Sequence, residues 1–181
     1  MNRCKWLNLK NPIYVQYHDT EWSKPLHDDK KLFELLILEC FQAGLSWECV
    51  LNKREDFRLA FDNFDIEKII NYNEEKVDEL LKNPKIIRNK LKIKAAIKNA
   101  VIFKKIQKEY KSFNDYIWHF TDNKIIKEEY TLRTTSPLSD TVSKDLKKRG
   151  MTFVGSTIIY SYLQATGIIN AHGKECYLYS K

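Results

Sequence analysis

The sequence is poor in the residues that interrupt secondary structure. Its 181 residues include only five glycines and four prolines, and hydrophobic residues make up 43% of the chain. Fibrous and disordered chains show a different balance. We therefore expect one globular domain over residues 1–181, with a core of ordinary size.

Long apolar runs are also absent. A membrane-spanning helix needs about eighteen consecutive apolar residues, and the sequence contains no such stretch. The first residues, MNRCKWLNLK, lack the apolar segment and cleavage site of a signal peptide. A cytoplasmic protein is expected, in which cysteines are thiols or metal ligands. Cys40 and Cys49 lie among apolar and aromatic residues and are interpreted as core residues.

Acidic residues are outnumbered: 24 Asp and Glu stand against 31 Lys and Arg, a net charge of +7. This excess favours a polyanionic partner, and nucleic acid is the first candidate. The segment 82–111 holds eleven basic residues and one acidic residue, Glu109. Helices often carry such a solvated face, so the segment is not assigned to DNA binding.

Runs of alternating polar and apolar residues are missing, so the predicted fold class is all-α, with about nine helices. A lysine-rich helix is predicted from about Arg88 to Tyr110, and Gly44 ends an earlier buried helix. The stretch TTSPLS is expected to be a loop. The predicted N-caps are Asp28 or Asp29, Ser46, Asn73, Ser112 and Ser139.

The two ends of the chain carry a possible metal site. Cys4 and His18 lie near the start, and His172 and Cys176 lie in HGKEC near the end. A Cys2His2 set suits tetrahedral structural zinc, and the ends of a domain often lie close together. On spacing alone the alternative stays open: a buried thiol and two surface histidines.

The segment GMTFVG, residues 150–155, lies between two predicted helices. Its glycines and the following helix N-terminus could present backbone N–H groups to a phosphate, with added charge from Lys147, Lys148 and Arg149. This indicates a helix-hairpin-helix unit. An ordinary helix connection with Gly150 just after the helix explains the pattern equally well.

Glu39 is a carboxylate within the apolar stretch LLILECF. Burial without a partner is costly, so Glu39 is expected to face a cavity or a strong hydrogen-bond donor. The nearby aromatic residues Trp6, Tyr17, Trp22 and Trp47 could form a slot for a flat, electron-poor ring. The alternative is a group of core aromatics with a helix-capping glutamate.

Together these stretches resemble the 3-methyladenine DNA glycosylase I family along the whole chain. The residues that carry the resemblance are RCKW (3–6), YHDTEW (17–22), KKLFELLILE (30–39), QAGLSW (42–47), KKR (147–149), FVGSTIIYSYLQA (153–165) and HGKEC (172–176). The resemblance implies an all-α helix-hairpin-helix DNA glycosylase fold with one structural zinc ion joining the termini. It also implies a monomeric, monofunctional bacterial repair enzyme, without lyase activity, that releases 3-methyladenine from alkylated double-stranded DNA near the nucleoid.

The resemblance also implies the site residues. Glu39 would bind the edge of the alkylated adenine with help from Tyr17, as the catalytic pair, and Trp22, Trp47 and Trp6 would form the walls. The zinc ligands would be Cys4, His18, His172 and Cys176. Gly44 and Leu45 would enter the gap left by the extruded nucleotide, and Lys148, Gly150 and Gly155 would hold the DNA backbone.

Two departures from the family pattern concern the N-terminal segment. The interval from Cys4 to His18 is one residue longer than usual, so an outward bulge is expected in LNLKNP. Ser23 stands where glycine often follows Glu-Trp, so the local turn is expected to differ. Two other functions compete: a silent DNA-binding or zinc-dependent interaction module, and a glycosylase for another alkylated or oxidised purine.

Overall fold

A computed structural model describes residues 1–129 and 132–179, which are mostly helical. The ten α-helices of these residues are α1 Pro12–Thr20, α2 Asp29–Gln42, α3 Trp47–Leu51, α4 Arg54–Ala60, α5 Ile66–Ile69, α6 Glu74–Lys82, α7 Lys90–Tyr110, α8 Phe113–His119, α9 Pro137–Lys148 and α10 Ser156–Ala165. A 3-10 turn covers Asp62–Phe64, and two short strands are β1 Ile126–Lys127 and β2 Ile169–Asn170. Within the described ranges no helix is long and apolar enough to cross a membrane.

Side-chain caps begin several helices where the sequence predicts them. The Asp28 carboxylate accepts a hydrogen bond from the Lys31 amide at the start of α2. Ser46, Asn73 and Ser112 cap α3, α6 and α8 in the same way. Each cap satisfies an amide that the first helical turn leaves unpaired. The prediction of a mainly helical protein is confirmed.

The start of α9 differs from the prediction. Ser136 is the N-cap, Pro137 is the first helical residue, and Ser139 completes a capping box with Ser136. The prediction of Ser139 as the cap is therefore wrong, and part of TTSPLS is helical. Proline suits the first turn because its missing N–H has no helical partner to lose.

Two further features were not predicted. Helix α1 begins at Pro12, and the Asn11 side chain caps it. Strands β1 and β2 pair in parallel, with Ile126 opposite Ile169, so the all-α class needs a small two-stranded sheet added. Strands of two residues are too short to produce a pattern of alternation.

Helix α2 is the centre of the core, and residues 32–41 are all buried. It contacts α3, α7, α8 and α10. Two of its buried residues are acids. Glu34 accepts hydrogen bonds from Arg54 Nε at 2.6 Å and Arg58 Nε at 2.9 Å, whereas Glu39 borders a cavity. Only the first acid is neutralised by an ion pair.

The last described residues fold back onto the N-terminal segment. The Tyr177 amide donates to the Asn2 carbonyl at 2.9 Å. Gly167 has φ of +72°, and a Cβ atom there would lie 2.2 Å from the Lys24 carbonyl carbon. Only glycine fits this close approach of two backbones. The fold therefore brings residues 2–24 and 167–177 together.

Candidate active site and metal centre

A cavity of about 210 Å³ opens beside the C-terminal end of α2. It is lined by every residue that the sequence predicts for the pocket: Trp6, Tyr17, Trp22, Glu39 and Trp47. Trp6 packs edge-on against Trp22, with ring centroids 4.8 Å apart, and Tyr17 is tilted against Trp47 at 5.5 Å. Such rings form a slot suited to a flat ligand.

The cavity contains polar groups that lack protein partners. Trp47 Nε1 is buried, and no acceptor for it lies among the described residues. Glu39 is 3% exposed, and its carboxyl group has no hydrogen-bond donor among the described residues. Because buried polar groups are normally paired, these two unpaired groups on residues that line the cavity favour a polar ligand there.

Burial changes the ionisation of Glu39. Desolvation raises the pKa of its carboxyl group to about 8, so the free protein holds it mostly protonated near neutral pH. Burial also raises the pKa of Tyr17 well above its usual value, and the nearby Glu39 adds to this. Glu39 lies within α2 and borders the cavity, so the helix-capping alternative does not describe it.

Four other residues that line the cavity were not predicted: Tyr14, Gln42, Ser161 and Gln164. Helical spacing was the available signal, because residues three apart share a helix face. Tyr14 precedes Tyr17 by three positions, and Gln42 follows Glu39 by three. Tyr14 was not found because α1 itself was not predicted.

The four predicted metal ligands come together in the structure. Cys4 Sγ lies 3.5 Å from His172 Nδ1, and Cys176 Sγ lies 3.6 Å from both His172 Nδ1 and His18 Nε2. All four donor atoms lie within 4.8 Å of one another, and all four residues are buried. The alternative with surface histidines is wrong, since His18 is 0% exposed and His172 is 2% exposed.

The separations between these donor atoms fit a metal ion. Bonds of about 2.3 Å to sulfur and about 2.0 Å to nitrogen place tetrahedral ligands roughly 3.5 Å apart. His18 Nδ1 lies 2.8 Å from Asp19 Oδ1, and Arg3 donates to the same carboxylate from Nε at 2.9 Å. Metal-binding histidines commonly have such a carboxylate partner, which fixes the ring. The cluster is thus compatible with tetrahedral zinc.

Both departures from the family pattern have a structural account. Ser23 has φ of +59°, the left-handed region where glycine is favoured, and its hydroxyl donates to the Ile169 carbonyl at 3.3 Å. The longer N-terminal interval is held at α3, because Asn8 and Asn11 both donate to Glu48 Oε1 at 2.8 Å. The metal-ligand cluster is intact.

The turn between α2 and α3 carries Gly44 and Leu45, two predicted DNA contacts. Both are exposed, and Gly44 has φ of +77°. Gln42 Nε2 donates to the Leu45 carbonyl at 2.8 Å. Because Gln42 and Trp47 also line the cavity, this turn forms one edge of the pocket.

The connection at residues 150–155 joins α9 directly to α10. The amides of Gly150 and Met151 donate to the carbonyls of Lys147 and Leu146, and Gly150 has φ of +101°. Gly150 is therefore the residue that follows the C-cap of α9, as the alternative of an ordinary helix connection predicts. The connection also has an unusual tip, since Phe153 has φ of +56°.

Near the tip of this connection, two carbonyls accept side-chain hydrogen bonds, whereas two amides have no acceptor among the described residues. The Thr152 carbonyl accepts from Asn99 Nδ2 at 2.9 Å, and the Val154 carbonyl accepts from Ser143 Oγ at 2.6 Å. In the described part of the chain, the amides of Phe153 and Gly155 have no acceptor. Free amides beside a helix N-terminus form a favourable site for an anion.

The charge near this connection is smaller than the sequence indicates. Arg149 pairs with Glu109 at 2.6 Å and with Asp145 at 2.7 Å, so its charge is neutralised. Lys147 and Lys148 are exposed at the end of α9. The prediction that Arg149 adds positive charge to this surface is therefore wrong, because its guanidinium is paired with two carboxylates.

An aromatic slot with an unpaired carboxyl group, next to a helix pair with free amides, is the arrangement expected of a DNA glycosylase. The chain belongs to the methyladenine glycosylase family, whose family model, described as Methyladenine glycosylase, matches residues 6–179. The prediction of the family from the sequence is confirmed.

Named relatives cover nearly the whole chain. It is 43% identical to DNA-3-methyladenine glycosylase 1 of Escherichia coli K12 over 183 residues, which cover 99% of this chain and 97% of that protein. It is 41% identical to DNA-3-methyladenine glycosylase of Haemophilus influenzae, with 96% of each chain covered. A crystal structure of 3-methyladenine DNA glycosylase I superimposes with a TM-score of 0.93 at 43% identity, covering 98% of this chain and 99% of that one.

A solved structure of the Staphylococcus aureus enzyme describes the recognition of 3-methyladenine by 3-methyladenine DNA glycosylase I. It matches with a TM-score of 0.92 at 36% identity, covering 98% of this chain and 96% of that one. The fold of this chain is therefore that of the solved family members.

Proposed function

We propose that the protein is a DNA repair enzyme that hydrolyses the N-glycosidic bond of 3-methyladenine in alkylated double-stranded DNA. It would release the free base and leave an abasic site. The observation that carries the proposal is the buried Glu39 carboxyl group, which borders an aromatic cavity and has no partner among the described residues. The names of the relatives support the same activity.

The pocket selects a cationic base. Methylation at N3 gives the base in DNA a positive charge, which tryptophan faces such as those of Trp22 and Trp47 attract. The positive charge also lowers the pKa of Glu39, so that binding favours its carboxylate form. Glu39 then accepts hydrogen bonds from the exocyclic amine, and Tyr17 fixes the edge of the base. Trp6 completes the wall.

Cleavage needs little chemical assistance. The bond between C1′ of the sugar and N9 of the base breaks, and its electron pair neutralises the departing base. Water adds to C1′ and loses a proton to solvent. The residues that line the cavity include no lysine, so no amine is placed to form a Schiff base. Strand-nicking lyase activity is therefore not expected.

DNA binding would use the exposed turn and the 150–155 connection. Extruding the damaged nucleotide costs a few kcal/mol, and the cost is smallest for a damaged base. Gly44 and Leu45 would fill the gap in the duplex. Free amides between Gly150 and Gly155, with Lys148, would hold the DNA backbone as a helix-hairpin-helix unit.

Cys4, His18, His172 and Cys176 would hold one zinc ion, which supplies a covalent link between the two ends of the chain. Four protein ligands would leave no open position on a tetrahedral ion, so the ion would have a structural role. We further propose one domain over residues 1–181 that acts as a monomer in the cytoplasm, at the nucleoid of a bacterium.

The test is release of free 3-methyladenine from methylated duplex DNA, followed by chromatography. Wild-type protein should release the base, and Glu39→Gln and Trp47→Ala should each slow release by roughly tenfold or more, a loss of about 1.4 kcal/mol or more. Glu75→Gln, an exposed substitution on α6, is the matched control. Wild-type rates in both pocket variants would refute the assigned roles.

Two further readouts separate the competing functions. Binding of methylated DNA without base release would support an interaction module, and faster release of another purine lesion would change the substrate. Strand nicking at the abasic product, resolved on a denaturing gel, would contradict the monofunctional mechanism.

A further inference from the structure

Helix α7 connects the two elements that the proposed function places against DNA. It carries two buried polar residues, Lys92 at 7% exposure and Asn99 at 0%. They are seven residues apart, or about two helical turns, so they lie on one face and roughly 10 Å apart. Neither lines the base cavity or belongs to the metal-ligand cluster.

Lys92 holds the end of α2. Its Nζ donates to the Phe41 carbonyl at 2.8 Å and to the Ala43 carbonyl at 2.6 Å. Carbonyls at a helix C-terminus lack helical partners and attract a cation. Gln42 Nε2 donates to the Leu45 carbonyl. Side chains therefore hold three carbonyls at the end of α2 and in the turn that carries Gly44.

Asn99 holds the 150–155 connection. Its Nδ2 donates to the Thr152 carbonyl at 2.9 Å, and its Oδ1 accepts from the Thr152 amide at 2.9 Å. The same Nδ2 lies 3.7 Å from Cys40 Sγ on α2. A primary amide satisfies a backbone donor and acceptor together, which no charged side chain does. Helices α2 and α7 and the connection therefore meet at Asn99.

We propose that Lys92 and Asn99 are positioning residues for DNA binding, which fix the Gly44–Leu45 turn and the 150–155 connection at a set separation before DNA arrives. The inference rests on the proposed function, since it takes both elements to contact DNA. A preformed pair of contacts avoids the ordering cost that flexible contacts incur on binding. The buried lysine is then needed for the shape of the DNA-binding surface, and not for its charge.

Lys92→Met keeps most of the length of the side chain and removes both hydrogen bonds. We expect its affinity for a duplex that contains an abasic-site analogue to fall roughly tenfold, with an equal rise in KM for methylated DNA. Affinity for free 3-methyladenine, read by tryptophan fluorescence, and kcat should change by less than about twofold. The matched control is Lys94→Met on the same helix, an exposed residue that pairs with Glu74.

Asn99→Ser is an independent variant. Its affinity for the abasic duplex should also fall, and its affinity for free 3-methyladenine should stay nearly unchanged. Equal losses of the two affinities would show a merely structural role and refute the proposal. A loss of DNA affinity in Lys92→Met no larger than that in Lys94→Met would also refute the proposal, because it would reflect the lost charge alone. The abasic duplex needs no excision, so its measured affinities, unlike KM and kcat, are independent of whether wild-type protein releases the base.

Hydrogen exchange of the wild-type protein tests the inference even where a variant does not fold. The Thr152 amide should be protected in the free protein, and duplex DNA should add little to its protection. Fast exchange that slows only after DNA binds would show a connection ordered by DNA, which contradicts the proposal.

Discussion

His172 packs edge-on against Trp22, with ring centroids 4.8 Å apart and the ring planes at 89°. His172 belongs to the metal-ligand cluster, and Trp22 lines the base cavity. Trp6 makes a similar contact with His18 at 5.5 Å. The metal-ligand cluster and one wall of the pocket are therefore in direct contact, so we expect a change in the cluster to disturb that wall.

Removal of one metal ligand should lower stability first and base release only as a consequence. Cys176→Ser leaves three of the four residues that would hold the proposed zinc ion, and structural zinc sites contribute several kcal/mol to folding. We expect the Tm to fall by roughly 10 °C or more, since 1 kcal/mol corresponds to about 2–4 °C at this chain length.

Thermal unfolding, metal analysis and base release at a temperature well below the Tm check this order. Cys49→Ser is the matched control, because Cys49 is a free, half-buried cysteine outside the metal-ligand cluster. Full loss of base release in a variant that still unfolds at the wild-type temperature would mean that Cys176 acts in catalysis.

Glu39 should make stability depend on pH. Its pKa of about 8 in the folded protein exceeds the value of 4.5 expected after unfolding. Between these values the folded state keeps a proton that the unfolded state releases, so stability falls as pH rises from about 5 to 8. Glu39→Gln removes this slope, which amounts to at most about 1.4 kcal/mol per pH unit.

Urea unfolding of the wild-type protein and of Glu39→Gln at several pH values measures how the free energy of unfolding of each depends on pH. Two described neighbours of Glu39 stay neutral in this range, since burial raises the pKa of Cys40 to about 12 and the pKa of Tyr17 well above its usual value. Arg54 stays charged throughout. Parallel stability curves for the two proteins would show that the Glu39 carboxyl group is ionised or paired in the fold.

Gly167→Ala should be strongly destabilising. A Cβ atom would overlap the Lys24 backbone, and the φ of +72° disfavours any side chain. A cost of about 3 kcal/mol or more is expected for this combination of overlap and strain. Gly173→Ala is the control, because nothing lies within 4 Å of its Cβ position. Equal Tm values for the two variants would contradict the close approach at Gly167.

Arg54 should matter more for stability than its position on a short helix indicates. Its Nε donates to Glu34 at 2.6 Å, and both residues are buried. Arg54→Met leaves the Glu34 carboxylate with Arg58 alone and should cost about 3 kcal/mol. The double variant Glu34→Gln/Arg54→Met should recover much of this loss in urea unfolding. A double variant as unstable as the sum of its single variants would argue against a shared ion pair.

The grouping of the four Cys and His residues and the lining of the cavity could be predicted because each set consists of chemically distinctive residues. A cysteine and a histidine at each end, or a glutamate in an apolar helix, stand out by type alone. The helices of the core were predicted for a similar reason, since Asp28, Ser46 and Asn73 mark their starts.

Other features depend on tertiary contacts that leave no local pattern. Asn99 looks like one more polar residue in a lysine-rich helix, and its role appears only once Thr152 is folded against it. The charge of Arg149 was overestimated because its partner Glu109 lies forty residues away in the sequence. The missed helix α1 and the cap at Ser136 are different, because a proline at the first helical position marks both starts.

The separation of the metal ligands along the chain has a consequence for synthesis. Cys176 is translated 158 residues after His18, so a growing chain holds only half of the ligand set until residues 172–176 are made. The tryptophans beside those ligands gain their last support at the same moment. Base-binding competence should therefore arise late, once residues 172–176 are made, and a translation product interrupted before them should lack it.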